Sequence, residues 1–79
     1  MKKKTGRPEI RERFGFAVKA RREALGLTRE DLAEKPRIHR TYLSDVERGT
    51  RNLSPANIER LATALELSIS ELFRQVEKS

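Results

Sequence analysis

The stretch LGLTREDLAEKPRIHRTYLSDVERGTRNLS, Leu25 to Ser54, decides the fold. Within Arg29 to Arg48 its apolar positions are Leu32, Ala33, Ile38, Leu43 and Val46. Their spacing predicts two short amphipathic helices, about Arg29 to Lys35 and His39 to Arg48, joined by a few residues. Thr28 is the N-cap of the first, and Asp31, three residues on, completes a capping box. Gly49 stops the second. Two helices that cross steeply need a small side chain where they come closest, and Ala33 supplies it. Ile38 fills the corner, and Leu43 and Val46 turn the second helix inward. His39, Arg40, Thr41, Ser44 and Asp45 are left outward at its start. They are donors and acceptors of a length suited to base edges in a major groove.

Outward from this pair the chain reads as further helices, with no strand. A first helix is expected from about Glu9 to Leu25, with Phe14, Ala17, Val18 and Leu25 inward, Ile10 as a further candidate, and Gly26 as the stop. Ser54, with Pro55 at the first helical position, starts a fourth helix reaching about Glu66, with Ile58, Leu61, Ala62 and Leu65 inward. Ser68 and Glu71 form a second capping box before a fifth helix, Ile69 to Lys78. Its apolar stripe is Ile69, Leu72, Phe73 and Val76. Leu27, Leu53 and Leu67 precede the three caps, and Leu32, Ile58 and Leu72 follow them by four, as hydrophobic staples. No internal repeat is expected.

A chain of 79 residues holds one domain with a marginal core. Residues 9–79 form that domain, and Met1 to Pro8 (MKKKTGRP) is read as a basic disordered tail. Gly6-Arg7-Pro8 after lysines resembles the core of a minor-groove AT-hook; the alternatives are nonspecific attraction and solubility. Net charge is +6. Met1 to Arg51 carries fifteen Lys+Arg against eight Asp+Glu, and Asn52 to Ser79 three against four, so the surplus lies with the helix pair. That asymmetry points to a polyanionic partner.

There is no cysteine, hence no disulfide framework and no thiolate metal site, in keeping with a reducing cytoplasm. His39 is the single histidine and is read as a helix-start residue, not a ligand or catalyst. The carboxylates interleave with arginines as solvated helix faces. No cofactor, metal, catalysis, membrane span or small-molecule effector is expected.

The Leu25–Ser54 stretch resembles the helix-turn-helix of the XRE family, which includes the lambdoid phage repressors and Cro proteins. Phe14 to Ala24 and IERLATALELSISELF, Ile58 to Phe73, extend the resemblance over nearly everything but the tail and the last residues. RTYLS, ERG and RN are similar to the controller proteins of restriction–modification systems. The resemblance implies an all-α, five-helix, lambda-repressor-like DNA-binding domain acting as a sequence-specific regulator in the cytoplasm, on the nucleoid. It would bind a palindromic or pseudo-palindromic operator as a dimer through helix three in the major groove, and block or recruit polymerase. Position by position, it implies base reading by Arg40, Thr41, Asp45 and Arg51. Asp45 either accepts from a cytosine amino group or pairs with a neighbouring arginine. Thr28, Arg29, His39, Tyr42, Ser44, Arg48 and Asn52 fall at backbone contacts. Arg22 and Glu47 match an inward salt bridge.

Many members carry Gln at Arg29, so a phosphate contact there should depend more on salt. The family usually has a small residue and then Gly in the turn, where this chain has Pro36 and Arg37. Helix two is therefore expected to end early, and Arg37 is either a phosphate contact or without a role. The fifth helix often forms the family's two-fold contact, which implies Ile69, Leu72, Phe73 and Val76 here, Phe73 and Val76 foremost. The rival reading is an antitoxin-like protein-interaction module with secondary DNA binding. An RNA binder is disfavoured by the lack of stacking aromatics.

Overall fold

The computed structural model describes residues 9–34 and 38–78. Expectations for the tail, for the Lys35-Pro36-Arg37 turn and for Ser79 lie outside the described residues. The elements are α1 (Ile10–Ala24), α2 (Arg29–Glu34), α3 (Arg40–Arg48), α4 (Pro55–Ala64) and α5 (Ile69–Lys78), with no strand among the described residues. His39 stands just before α3 as its N-cap, in an extended conformation.

The caps form as the sequence implies. Asp31 N donates to Thr28 Oγ1 at 3.0 Å, and Thr28 N donates back to Asp31 Oδ2 at 3.0 Å. Glu71 N donates to Ser68 Oγ at 3.0 Å, and Ser68 N to Glu71 Oε1 at 2.8 Å. Asn57 N donates to Ser54 Oγ at 3.2 Å.

At the other end of α1 to α4 an amide reaches the carbonyl five residues back: Leu27 to Arg22, Ile38 to Ala33, Thr50 to Asp45 and Leu67 to Ala62. After α1, α3 and α4 these are Schellman closures, with a left-handed residue just before the donor. Gly26 (φ 75°) and Gly49 (φ 80°) fill that place after α1 and α3, but after α4 it is Glu66, at φ 61°. The α1–α2 and α4–α5 junctions are therefore alike. LGLTREDL (25–32) and LELSISEL (65–72) build the same junction: Schellman closure, leucine, hydroxyl cap, acidic box partner, buried leucine.

Val18, Leu32, Leu43, Leu61, Leu65, Leu72 and Val76 have no exposed surface, and Val46 has almost none. Burying each such side chain is worth about 1.5–3 kcal/mol. α1 packs across both α3 and α5, so it is the beam on which α3 rests. The approach to α3 is backbone to backbone: a Cβ on Gly15 would lie 2.3 Å from the Val46 carbonyl oxygen. Arg21 Nε donates to the Leu65 carbonyl at 2.9 Å, tying α1 to the end of α4.

Two apolar expectations are corrected. Ile10 is exposed and does not join the core. Leu72 and Val76 are sealed inside one chain, so neither is a contact for a twin subunit. They face α1 and α4, whereas Ile69 is 43% exposed and Phe73 is half-buried against Phe14, with ring centroids 5.6 Å apart.

Candidate nucleic-acid interface

The site is built on a rigid joint. Arg22, on α1, is buried and grips Glu47, on α3, through Nε–Oε2 at 2.7 Å and Nη2–Oε1 at 3.2 Å. Its Nη1 donates to the Leu27 carbonyl at 2.8 Å. The Glu47 hydrogen bonds push the Arg22 guanidinium above its ordinary pKa, against the opposing pull of burial. Glu47's side chain is only 2% exposed, and it takes a second cation: Arg29 Nε donates to Oε1 at 3.0 Å. One carboxylate thus joins α1, α2 and α3, and confirms the expected Arg22–Glu47 bridge. Arg29 was expected at a phosphate; it is anchored on Glu47 with its side chain still partly exposed.

Between the start of α2 and the outward face of α3 lies a polar cleft of about 380 Å³, lined by Arg29, Glu30, Arg40, Thr41, Ser44, Asp45 and Arg48. It gathers three of the four expected base readers. Arg40 and Thr41 are exposed at the start of α3. Arg40 Nη1 pairs with the Glu30 carboxylate across the cleft. Glu30's carboxyl is held below its ordinary pKa by its own backbone amide first and by Arg40 second. Asp45 pairs with Arg48 through Oδ1 and with Arg51 Nε, 3.4 Å from Oδ2. Of its two expected roles, the arginine partnership is the one formed here.

On the other flank of α3 a cleft of about 430 Å³ is lined by Ile38, His39, Thr41, Tyr42, Arg51, Asn57 and Arg60. Arg51, the fourth expected reader, lies over the Tyr42 ring at 4.8 Å. Tyr42 Oη accepts from Asn57 Nδ2 at 3.1 Å, and Asn57 Oδ1 accepts from Arg60 Nη1 at 2.9 Å. Thr28 caps α2, with its amide already donated to Asp31. Asn52 is exposed but stands apart, beside an apolar pocket of about 110 Å³ with Phe14, Leu53, Ile58 and Phe73.

Glu30, Asn57 and Arg60 belong to this surface and were not singled out from the sequence. The Asn57–Arg60 spacing, three apart on a helix, was the available signal for that pair. Glu30 gave none, because its partner lies on another helix. Among the described residues, no three His, Cys, Asp or Glu side chains are grouped to hold a metal ion. No helix there is long and apolar enough to cross a membrane.

The arrangement is a short helix presenting hydrogen-bonding side chains, flanked by cations and braced from behind. It suits a groove of duplex DNA with phosphates on either side. Comparison with known proteins agrees. A family model described as helix-turn-helix matches residues 18–72. The control protein C.MunI of Mycoplasma sp is 39% identical over 71 residues, covering 89% of this chain and 96% of that protein. The crystal structure of the clp gene regulator ClgR from C. glutamicum superposes with a TM-score of 0.88 at 32% identity, covering 96% of this chain and 97% of the other. The restriction–modification controller protein C.Esp1396I, solved as a tetramer in complex with its natural 35 base-pair operator, superposes at 0.83 with 35% identity, covering 91% and 95%. With its five helices, its braced α3 and a family model spanning most of its length, the chain belongs to the helix-turn-helix (XRE-type) family of DNA-binding regulators.

Proposed function

We propose that this chain is a sequence-specific transcriptional regulator of the restriction–modification controller type, acting in the cytoplasm on a two-fold-related operator. The observation that carries the reading is the pairing of an exposed Arg40–Thr41 edge with a buried Arg22–Glu47 brace on the same helix. The edge supplies contacts, and the brace fixes where they point. α3 enters the major groove. Arg40 donates to guanine O6 and N7, a contact worth about 1–3 kcal/mol of discrimination. The Thr41 methyl meets a thymine methyl. Arg29, Arg48 and Arg51 flank the helix with charge for the phosphates, joined on the α4 side by Tyr42 and Arg60.

One reading head touches few bases, so useful affinity calls for two heads about 34 Å apart on one face of the duplex. Ile69 and Phe73 remain available for a two-fold contact, beside the apolar pocket at Phe14, Leu53 and Ile58. Selection of bound sites from random duplex DNA tests the reading. Enrichment of an inverted repeat with guanine in each half supports it. Recovery of no shared sequence overturns it.

A further inference from the structure

The base-reading arginine is not alone in its cleft. Arg40, at the first turn of α3, and Glu30, in the first turn of α2, join across the gap between the helices, and both side chains are about 60% exposed. Only Nη1 of Arg40 makes that bond, and a guanidinium carries five N–H donors in a fixed fork. The remaining donors are free in number to span guanine O6 and N7 while the carboxylate holds the other corner. The amide of its own residue, at the start of the helix, and Arg40 both favour its ionised form. α2 is in turn locked to α3 behind the cleft by Arg29 on the buried Glu47.

We infer that Glu30 is a positioning residue that acts through Arg40, aiming the guanidinium at a base edge and withholding it from phosphates. This rests on the proposed reading of α3 as the helix in the groove. A carboxylate near a polyanion is otherwise a liability, because it repels phosphates. Here it restricts a side chain with many rotamers before the duplex arrives, so less freedom is lost in the complex. The sign of the effect separates the two roles. A carboxylate that only repels DNA weakens every duplex alike. A positioning carboxylate strengthens the chosen sequence and weakens the rest.

The test compares Glu30→Ala with the unaltered protein on two duplexes: one selected from random sequence and one with the same bases scrambled. Affinity for the selected duplex is expected to fall about three- to fivefold, the scale of one exposed ion pair. Affinity for the scrambled duplex is expected to rise about two- to threefold as a negative charge is removed. In an Arg40→Ala background, Glu30→Ala is expected to produce no fall on either duplex. Circular dichroism melting of each variant shows that the fold persists. Equal rises on both duplexes overturn the inference. So does a fall that survives in the Arg40→Ala background, which would place Glu30 on the DNA directly. Undiminished binding of the selected duplex by Arg40→Ala alone would instead overturn the assignment of α3 as the reading helix.

Discussion

Arg22 and Glu47 meet through two hydrogen bonds, 2.7 and 3.2 Å long, between the last turn of α1 and the last turn of α3. The pair is shut away from water, and Arg29 completes the charge balance from the α2 side. Removing Glu47 leaves Arg22 buried without its counter-charge, whereas removing Arg22 leaves Glu47 with Arg29 alone. Glu47→Gln is therefore expected to cost about 3–5 kcal/mol in urea unfolding, and Arg22→Ala less. Replacing both together with apolar residues of similar volume should cost less than either single change. A double replacement as damaging as the sum of the two singles would contradict this account of the joint.

The contact of α1 with α3 depends on the missing side chain of Gly15. A methyl group there would lie 2.3 Å from one carbonyl oxygen and 2.7 Å from the next, Val46 and Glu47, both backbone atoms that cannot rotate aside. Gly15→Ala is expected to destabilise by about 1–3 kcal/mol or more, although alanine is the better helix former. A melting temperature equal to or above that of the unaltered protein would show that the helices sit farther apart.

Glu66 holds a left-handed backbone, φ 61°, at the place where Gly26 serves the equivalent turn. Glu66→Gly should relieve about 1 kcal/mol of strain and raise the melting temperature. Gly26→Ala should do the reverse, through backbone strain alone, since nothing lies within 4 Å of the added methyl.

The Ser68–Glu71 box gives a pH dependence of defined sign. Glu71's carboxyl is held below its ordinary pKa of 4.5, chiefly by the Ser68 amide and then by the Ser68 hydroxyl. A depressed carboxyl pKa contributes stability that is present above the unfolded value and lost as pH falls below it through the folded value. Glu71→Gln should thus lower stability near neutral pH and narrow its gap to the unaltered protein as pH drops below 4.5. A gap that stays constant through that range would show that the carboxylate is not what caps α5.

What was legible in the sequence was what neighbours along the chain determine. Thr28 and Asp31, or Ser68 and Glu71, are three residues apart, and their boxes follow from that spacing alone. So do Gly26 and Gly49 as stops, and the inward stripe through Leu61, Ala62 and Leu65. The Arg22–Glu47 bridge, 25 residues apart, came from the family resemblance and not from spacing. What stayed hidden needed the third dimension. A wide stripe such as Ile69, Leu72, Phe73 and Val76 does not say which residues the monomer seals, and α1 sealed Leu72 and Val76. Gly15 looks like a weak helix residue until α3 is laid against it. Glu66 gives no hint of a left-handed turn unless LELS is aligned with LGLT. Glu30 and Arg40 meet only because α2 and α3 cross where they do.

The central claim is that Arg40 reads a guanine in the major groove. The most direct measurement replaces each guanine of a selected duplex in turn by 7-deazaguanine, which lacks the N7 acceptor, and titrates the unaltered protein and Arg40→Ala. The account predicts that one guanine per half-site is sensitive for the unaltered protein, with a loss of about tenfold or more, and that Arg40→Ala is indifferent to the same replacement. Equal sensitivity of the two proteins at every guanine would contradict it.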